Sequence, residues 1–372
     1  MSDRRRFVKR VRFLSLVGAA CTASAVALAV PFQHHTQYVQ HNLVADDPSI
    51  AADVHDPNLV NSWGIVPNPT GVWWVSDNQK GLATLYDQHG AIQSLVVNIP
   101  GANGEPAGGA PTGIVFNGSP AFVVHDDAGN SGPAAFLFAS EDGSISGWSP
   151  VVPPPPPSRQ AHVAVDKSRD GAIFKGLALA RTDAGERLYA TDFHNNLVRV
   201  FDGEFTEVTR RNTFVDSQLP DRFAPFGIAA IDGEIVVSFA KQDDDAEDDV
   251  AGPGLGFVDV FDAEGNLLRR LVRHGQLSAP WGMVRAPDDF GEFSGDLLVG
   301  NFGGGRIHAY DFETGQPHGT LSSSPGHPIE IEGLWGLAFG NDGPAGPHNV
   351  LFFSSGPGGE THGLFGSISA GD

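Results

Sequence analysis

Trp63-Gly64-Ile65-Val66 is one copy of a pattern that returns five more times along the chain. The other copies are Thr112-Gly113-Ile114-Val115, Lys175-Gly176-Leu177-Ala178, Phe226-Gly227-Ile228-Ala229, Trp281-Gly282-Met283-Val284 and Trp335-Gly336-Leu337-Ala338. Their glycines are spaced by 49, 63, 51, 55 and 54 residues. One such tripeptide means nothing, but six at a near-constant period mark an internal repeat. In most copies a hydrophobic run and a polar turn follow, then an alternating run ending in an aromatic residue and Asp. Examples are Leu82–Asp87 (LATLYD), Leu197–Asp202 (LVRVFD), Phe257–Asp262 (FVDVFD) and Arg306–Asp311 (RIHAYD). Period-two alternation rich in β-branched residues marks half-buried antiparallel strands. The Gly, Asn and Asp turns between the runs mark hairpins. The pattern predicts an all-β chain folded as a six-bladed β-propeller, with four antiparallel strands in each blade. The repeated Gly then lies where the innermost strands crowd the axis and leave little room for Cβ atoms.

The last copy has Gly336–Phe339, Val350–Ser354 and Gly363–Ser369 but lacks an outer strand. A spare strand-like segment, Tyr38–Val44, precedes the first copy. It is expected to close the ring within the last blade, removing an open sheet edge. The long second interval holds about a dozen extra residues; Ala121–His125 is either an added strand or the second strand of that blade. Pro153–Pro157 reads as a stiff polyproline II segment in a surface loop.

The chain has 372 residues, with 23 Lys+Arg against 44 Asp+Glu, a formal charge of −21. Nucleic-acid binders and proteins held on anionic lipid need the opposite balance. The 47 Gly and 27 Pro are the punctuation of many short strands. A single cysteine, Cys21, permits no intrachain disulfide and argues against a Cys-based metal site. Arg4, Arg5, Arg6, Lys9, Arg10 and Arg12 precede the uncharged run Phe13–Val30, with Ala27-Leu28-Ala29 as a cleavage site. This is the form of a signal peptide. Arg4-Arg5-Arg6-Phe7-Val8-Lys9 also resembles the twin-arginine consensus. The expected organisation is a signal peptide at 1–29, a linker at 30–37 and the propeller at 38–372. The product is expected to be an exported monomer, periplasmic or extracellular, free of the membrane after cleavage. Removing the signal leaves 17 basic and 43 acidic residues, a charge of −26.

Several runs carry a family resemblance: Leu43-Val44-Ala45-Asp46-Asp47-Pro48, Asp56–Ile65, Trp74–Asn78, Pro111–Asn117 and Glu141–Trp148. The chain resembles an uncharacterised family of exported bacterial proteins similar to NHL-type six-bladed propellers. Some members carry a C-terminal PEP-CTERM sorting segment, which the end of this chain does not match. The resemblance implies the propeller fold and export, and it brings no activity with it.

Strand polarity places the approach to strand one and the strand 2–3 hairpin on the same face. That face is expected to gather Asn61, Trp63, Lys175, Lys241, Trp281, Phe302 and Trp335 as ligand-binding candidates around the channel mouth. The bland alternative is that the polar residues only make turns and the Trp residues pack between blades. Two functions remain open. One is a binding or scaffolding module for a small molecule, a glycan or a protein, with the Trp residues as a stacking surface. The other is a divalent-metal-dependent hydrolase of the gluconolactonase type. In that reading Asn78, Glu141, Asp192 and Asn301 hold the cation, and Asp77 or His194 acts as base. A third feature is the acidic loop containing Asp243, Asp244, Asp245, Glu247, Asp248 and Asp249, which suits calcium or another divalent cation. It lacks the glycine of an EF-hand loop, and a solvated loop is its simpler reading. No G-x-S-x-G or H-E-x-x-H motif is present.

Overall fold

The protein is described by a computed structural model covering residues 36–371. The expected signal peptide, the twin-arginine motif, Cys21 and nearly all of the linker lie outside the described residues. Six sheets follow one another along the chain, and each begins at its inner edge with the Gly-containing strand. These inner strands are Ser62–Pro67, Pro111–Phe116, Phe174–Thr182, Phe223–Ile231, Pro280–Arg285 and Leu334–Phe339. The described residues form a six-bladed β-propeller. None of their helices is long and apolar enough to cross a membrane.

The repeated glycines meet in a ring. A Cβ on Gly64 would lie 2.4 Å from the carbonyl oxygen of Thr112, and one on Gly113 2.4 Å from the backbone nitrogen of Leu177. A Cβ on Gly227 would lie 2.1 Å from the Trp281 carbonyl oxygen, and one on Gly282 2.4 Å from that of Trp335. Gly336 closes the circle on the Trp63 carbonyl at 2.8 Å. Each blade thus abuts the next through a glycine that no side chain can replace without moving backbone. Hydroxyls fasten the same joints. Thr191 Oγ1 donates to the Phe226 carbonyl at 2.7 Å, Ser238 Oγ to that of Pro280 at 2.6 Å, and Ser354 Oγ to that of Trp63.

Hydrophobic residues are buried between blades rather than in one central mass. Six clusters fill the six joints, as sheets packed face to face require. Tyr38–Ala45 pairs antiparallel with Leu364–Ala370, from Tyr38 opposite Ala370 to Ala45 opposite Leu364. The sixth blade is therefore completed by the N-terminal strand, as its sequence predicts. Tyr38 also stacks on Phe293 at 5.7 Å, and its hydroxyl donates to the Phe290 carbonyl at 2.9 Å.

Two blades depart from the regular repeat. In the second, Phe136–Ser140 is strand two, and Val123–His125 pairs with Ser131–Pro133 as an added hairpin. The hairpin is retained because Phe122 and Val124 fill the joint with the third blade. In the third blade three full strands are followed by a fourth reduced to a single bridge from Phe201 to Glu207. The Val200 N–H is taken by the Thr209 hydroxyl at 2.9 Å, where a fourth strand would offer a carbonyl. Pro153–Pro157 is a run of bends instead of the expected extended segment.

Candidate functional site

The residues just before each glycine lie at one end of the axis. There Trp63 and Trp335 stack with ring centroids 3.9 Å apart, and Phe302 stacks on Trp335 at 4.1 Å. Trp281 meets Trp335 edge-on at 5.9 Å. Phe193 and Phe226 join them, and the group plugs the axis. Trp63 and Trp335 are each 1% exposed, while Trp281 and Phe302 remain partly exposed. Only the latter two offer aromatic surface; the other two are buried by the axial stack they form.

A polar chain runs beside this plug. The Trp335 indole N–H donates to Asn61 Oδ1 at 3.0 Å. Asn61 Nδ2 donates to Glu360 Oε2 at 2.8 Å and to Asn78 Oδ1 at 3.3 Å. Asn78 Nδ2 donates to Glu141 Oε2 at 2.8 Å. The other Glu141 oxygen accepts from the Lys175 ammonium at 2.6 Å, and Asp248 Oδ1 accepts from it at 3.0 Å. The ammonium lies 5.3 Å from the Trp63 ring centroid, in cation–π range. The Lys175 side chain is only 3% exposed. Burial alone would lower its pKa, but the charges of Glu141 and Asp248 outweigh burial and hold it above its ordinary value. Asp249 is pushed up to about 7, chiefly by burial; Lys175 opposes the rise, and Glu360 and Asp248 add to it. Burial also raises Glu360, with the charge of Glu141 contributing. Two carboxylates therefore pair with one fixed ammonium, and the carboxyl groups of Asp249 and Glu360 feel its charge.

The acidic loop builds part of this arrangement. It is closed by a bridge between Gln242 and Asp249, and Gln242 Nε2 anchors it on the Phe193 carbonyl at 2.6 Å. Its carboxylates then diverge. Asp243 accepts from the Glu247 N–H, Asp244 pairs with Arg222 at 2.8 Å, and Asp245 and Glu247 are exposed. Asp248 alone pairs with the lysine, while Asp249 has one carboxyl oxygen buried without a hydrogen-bond partner.

The four expected metal ligands are not brought together. Asn78 and Glu141 adjoin, but Asp192 is fully buried and bound by Arg199 Nε at 2.8 Å. Asn301 shapes its hairpin, accepting from the Ser278 N–H at 2.8 Å and donating to the Arg306 carbonyl at 3.1 Å. A lysine ammonium already sits on Glu141, so this donor set does not fit a divalent ion. Among the described residues no group of three or more His, Cys, Asp or Glu side chains is arranged to hold one. Asp77 is buried within its blade, its pKa raised by that burial, so it is out of reach of the face. His194 is exposed, with Nδ1 3.2 Å from the Ala246 carbonyl of the acidic loop. Lys241 ends its strand opposite Phe223, at the base of that loop.

Glu360 is the one member of the cluster that sequence reasoning omitted. It lies in the strand 2–3 loop of the sixth blade, in a left-handed backbone conformation (φ 67°). Its position in that hairpin was the available signal, because the same hairpin in other blades supplies Asn78 and Glu141.

No family model matches the chain. Uncharacterized protein L690 of Acanthamoeba polyphaga mimivirus is 31% identical over 342 residues, spanning 88% of this chain and 84% of that protein. Uncharacterized protein R648 of the same virus is 30% identical over 365 residues, spanning 95% and 86%. Among solved structures, a streptogramin B lyase aligns with a TM-score of 0.51 at 13% identity, over 90% of this chain and 98% of that one. A structural genomics protein of unknown function from Bacteroides thetaiotaomicron aligns with a TM-score of 0.55 at 10% identity, over 90% and 77%. These two share the propeller fold with this chain.

Proposed function

The chain belongs to the family of the mimivirus proteins L690 and R648, and we propose that it is a binding module whose channel-mouth face takes a cationic group. The observation that carries this reading is the Lys175 ammonium itself. It sits between two carboxylates and over an indole, the environment a bound amine or guanidinium would seek. Asp249 and Glu360 add carboxyl groups beyond the two that Lys175 neutralises. The Asp248 side chain is 75% exposed, and Phe302 presents a partly open ring stacked on Trp335. A basic side chain of a partner protein, or a small polyamine, has the matching chemistry.

Export belongs to the same proposal. The basic segment at 4–12 and the uncharged run after it support it, as does the resemblance to exported bacterial propellers. An acidic binding face suits a protein that meets cationic partners outside the cell.

A thermal-shift panel separates the readings. Tetralysine or spermidine should raise the melting temperature in a saturable, salt-sensitive manner. Tetraglutamate should have no effect. A stoichiometric shift with Ca²⁺ that Asn78→Ala abolishes would favour the metal-dependent hydrolase instead. A shift with neutral oligosaccharides alone would favour glycan stacking on Trp281 and Phe302.

A further inference from the structure

The other end of the axis has the opposite character. All six inner strands run in the same direction, so residues after each glycine lie on the far side of the aromatic plug. They enclose a cavity of about 430 Å³. Its wall carries one residue from each blade at the position after the glycine: Ile65, Ile114, Leu177, Ile228, Met283 and Leu337. Of the twenty lining residues, none has a charged side chain. The sole polar side-chain group is the indole N–H of Trp281, which is already committed to the Lys175 carbonyl at 2.9 Å. The remaining polar groups are backbone N–H and C=O along the inner strands, each of which pairs on one side only. The plug closes the inner end, so the cavity is a blind well open on the face away from Lys175.

We infer that this well is a second binding site, for a small uncharged molecule that is mainly apolar. The chemistry selects that class. An ion entering the well would lose its hydration and find no counter-charge. An apolar body would displace water from aliphatic walls, and one or two neutral polar atoms could bond to the inner strand edges. The volume falls within the range of small-molecule pockets. Trp281 borders both sites, but none of the carboxyl groups of the cluster lines the well, so neutral-ligand binding here is read out separately from cation binding at the other face.

The probe is N-phenyl-1-naphthylamine, whose fluorescence rises in apolar surroundings, titrated into the purified propeller. One-to-one saturable binding is expected, with competition by 1-decanol and none by decyltrimethylammonium. Met283→Gln, nearly isosteric but polar, should weaken binding about tenfold, while Met283→Leu retains it. Should Met283→Gln fail to fold, Ala230→Glu at the exposed rim supplies the same readout. Non-saturable binding, or equal affinity in wild type and a folded polar variant, would overturn the inference and leave a hydrated channel.

Discussion

Asp259 shows how one residue type takes different roles by position. It points into the fourth blade, is fully buried, and has no hydrogen-bond partner for either oxygen. Burial, and after it the charge of Asp216, raises its pKa to about 7. Asp192, at a strand end in the third blade, has Arg199 instead. A carboxyl raised in the folded state favours folding while protonated, and that contribution is lost as pH climbs from about 4 through 7. Between pH 5 and pH 8 wild type should therefore lose about 3 kcal/mol through this group, and Asp259→Asn should not. Chemical denaturation at both pH values checks this; parallel profiles for the two proteins would refute it. The residue scale is also where sequence reasoning was weakest. Asp77, Asp192 and Asn301 all read as channel-mouth residues, because a strand-end position does not say which way the side chain turns. In the fold Asp77 and Asp192 turn into their blades and Asn301 holds a hairpin. The glycines were legible because the crowding at 2.1–2.8 Å admits only one residue type, at every turn of the ring.

At the scale of elements, the N-terminal strand carries the most consequence. Tyr38–Ala45 supplies the outer strand of a blade whose other strands come from the far end of the chain. It is flanked on its free side only by the short parallel strand Val54–His55. Without it, Leu364–Ala370 would expose a long unpaired edge. Deleting residues 38–44 should lower the melting temperature by more than 10 °C, broaden the transition and promote association through that edge. An unchanged cooperative transition would contradict closure by this strand. The closure was legible because the last repeat was visibly one strand short and the first was preceded by one to spare. The third blade was not legible in the same way. Glu207–Thr209 can extend a strand as well as end one, and only the fold shows the Thr209 hydroxyl replacing a ladder bond. The acidic loop read as solvated, and most of it is. Asp248 departs from that reading because, next to the Gln242–Asp249 bridge, its carboxylate pairs with a buried lysine.

For the whole molecule, the axis divides two chemistries. One end gathers carboxyl groups, a lysine and aromatic edges; the other is an apolar well. The aromatic plug separates them, and the same six strands supply both. The sequence left the Trp residues either as a stacking rim or as packing between blades; an axial stack of Trp63 and Trp335 exists only once distant blades are brought around the ring. The net charge of −21 acquires a location in the fold, with part of it concentrated around Lys175. The central claim is that this concentration recognises a cation. Calorimetric titration of tetralysine into wild type and into a variant combining Glu141→Gln with Asp248→Asn tests it most directly, with melting temperatures confirming that both are folded. Saturable one-to-one binding to wild type that weakens as salt is raised is expected, with at least about tenfold weaker binding to the variant. Equal affinity for the two proteins, or no saturable binding to wild type at low salt, would contradict it.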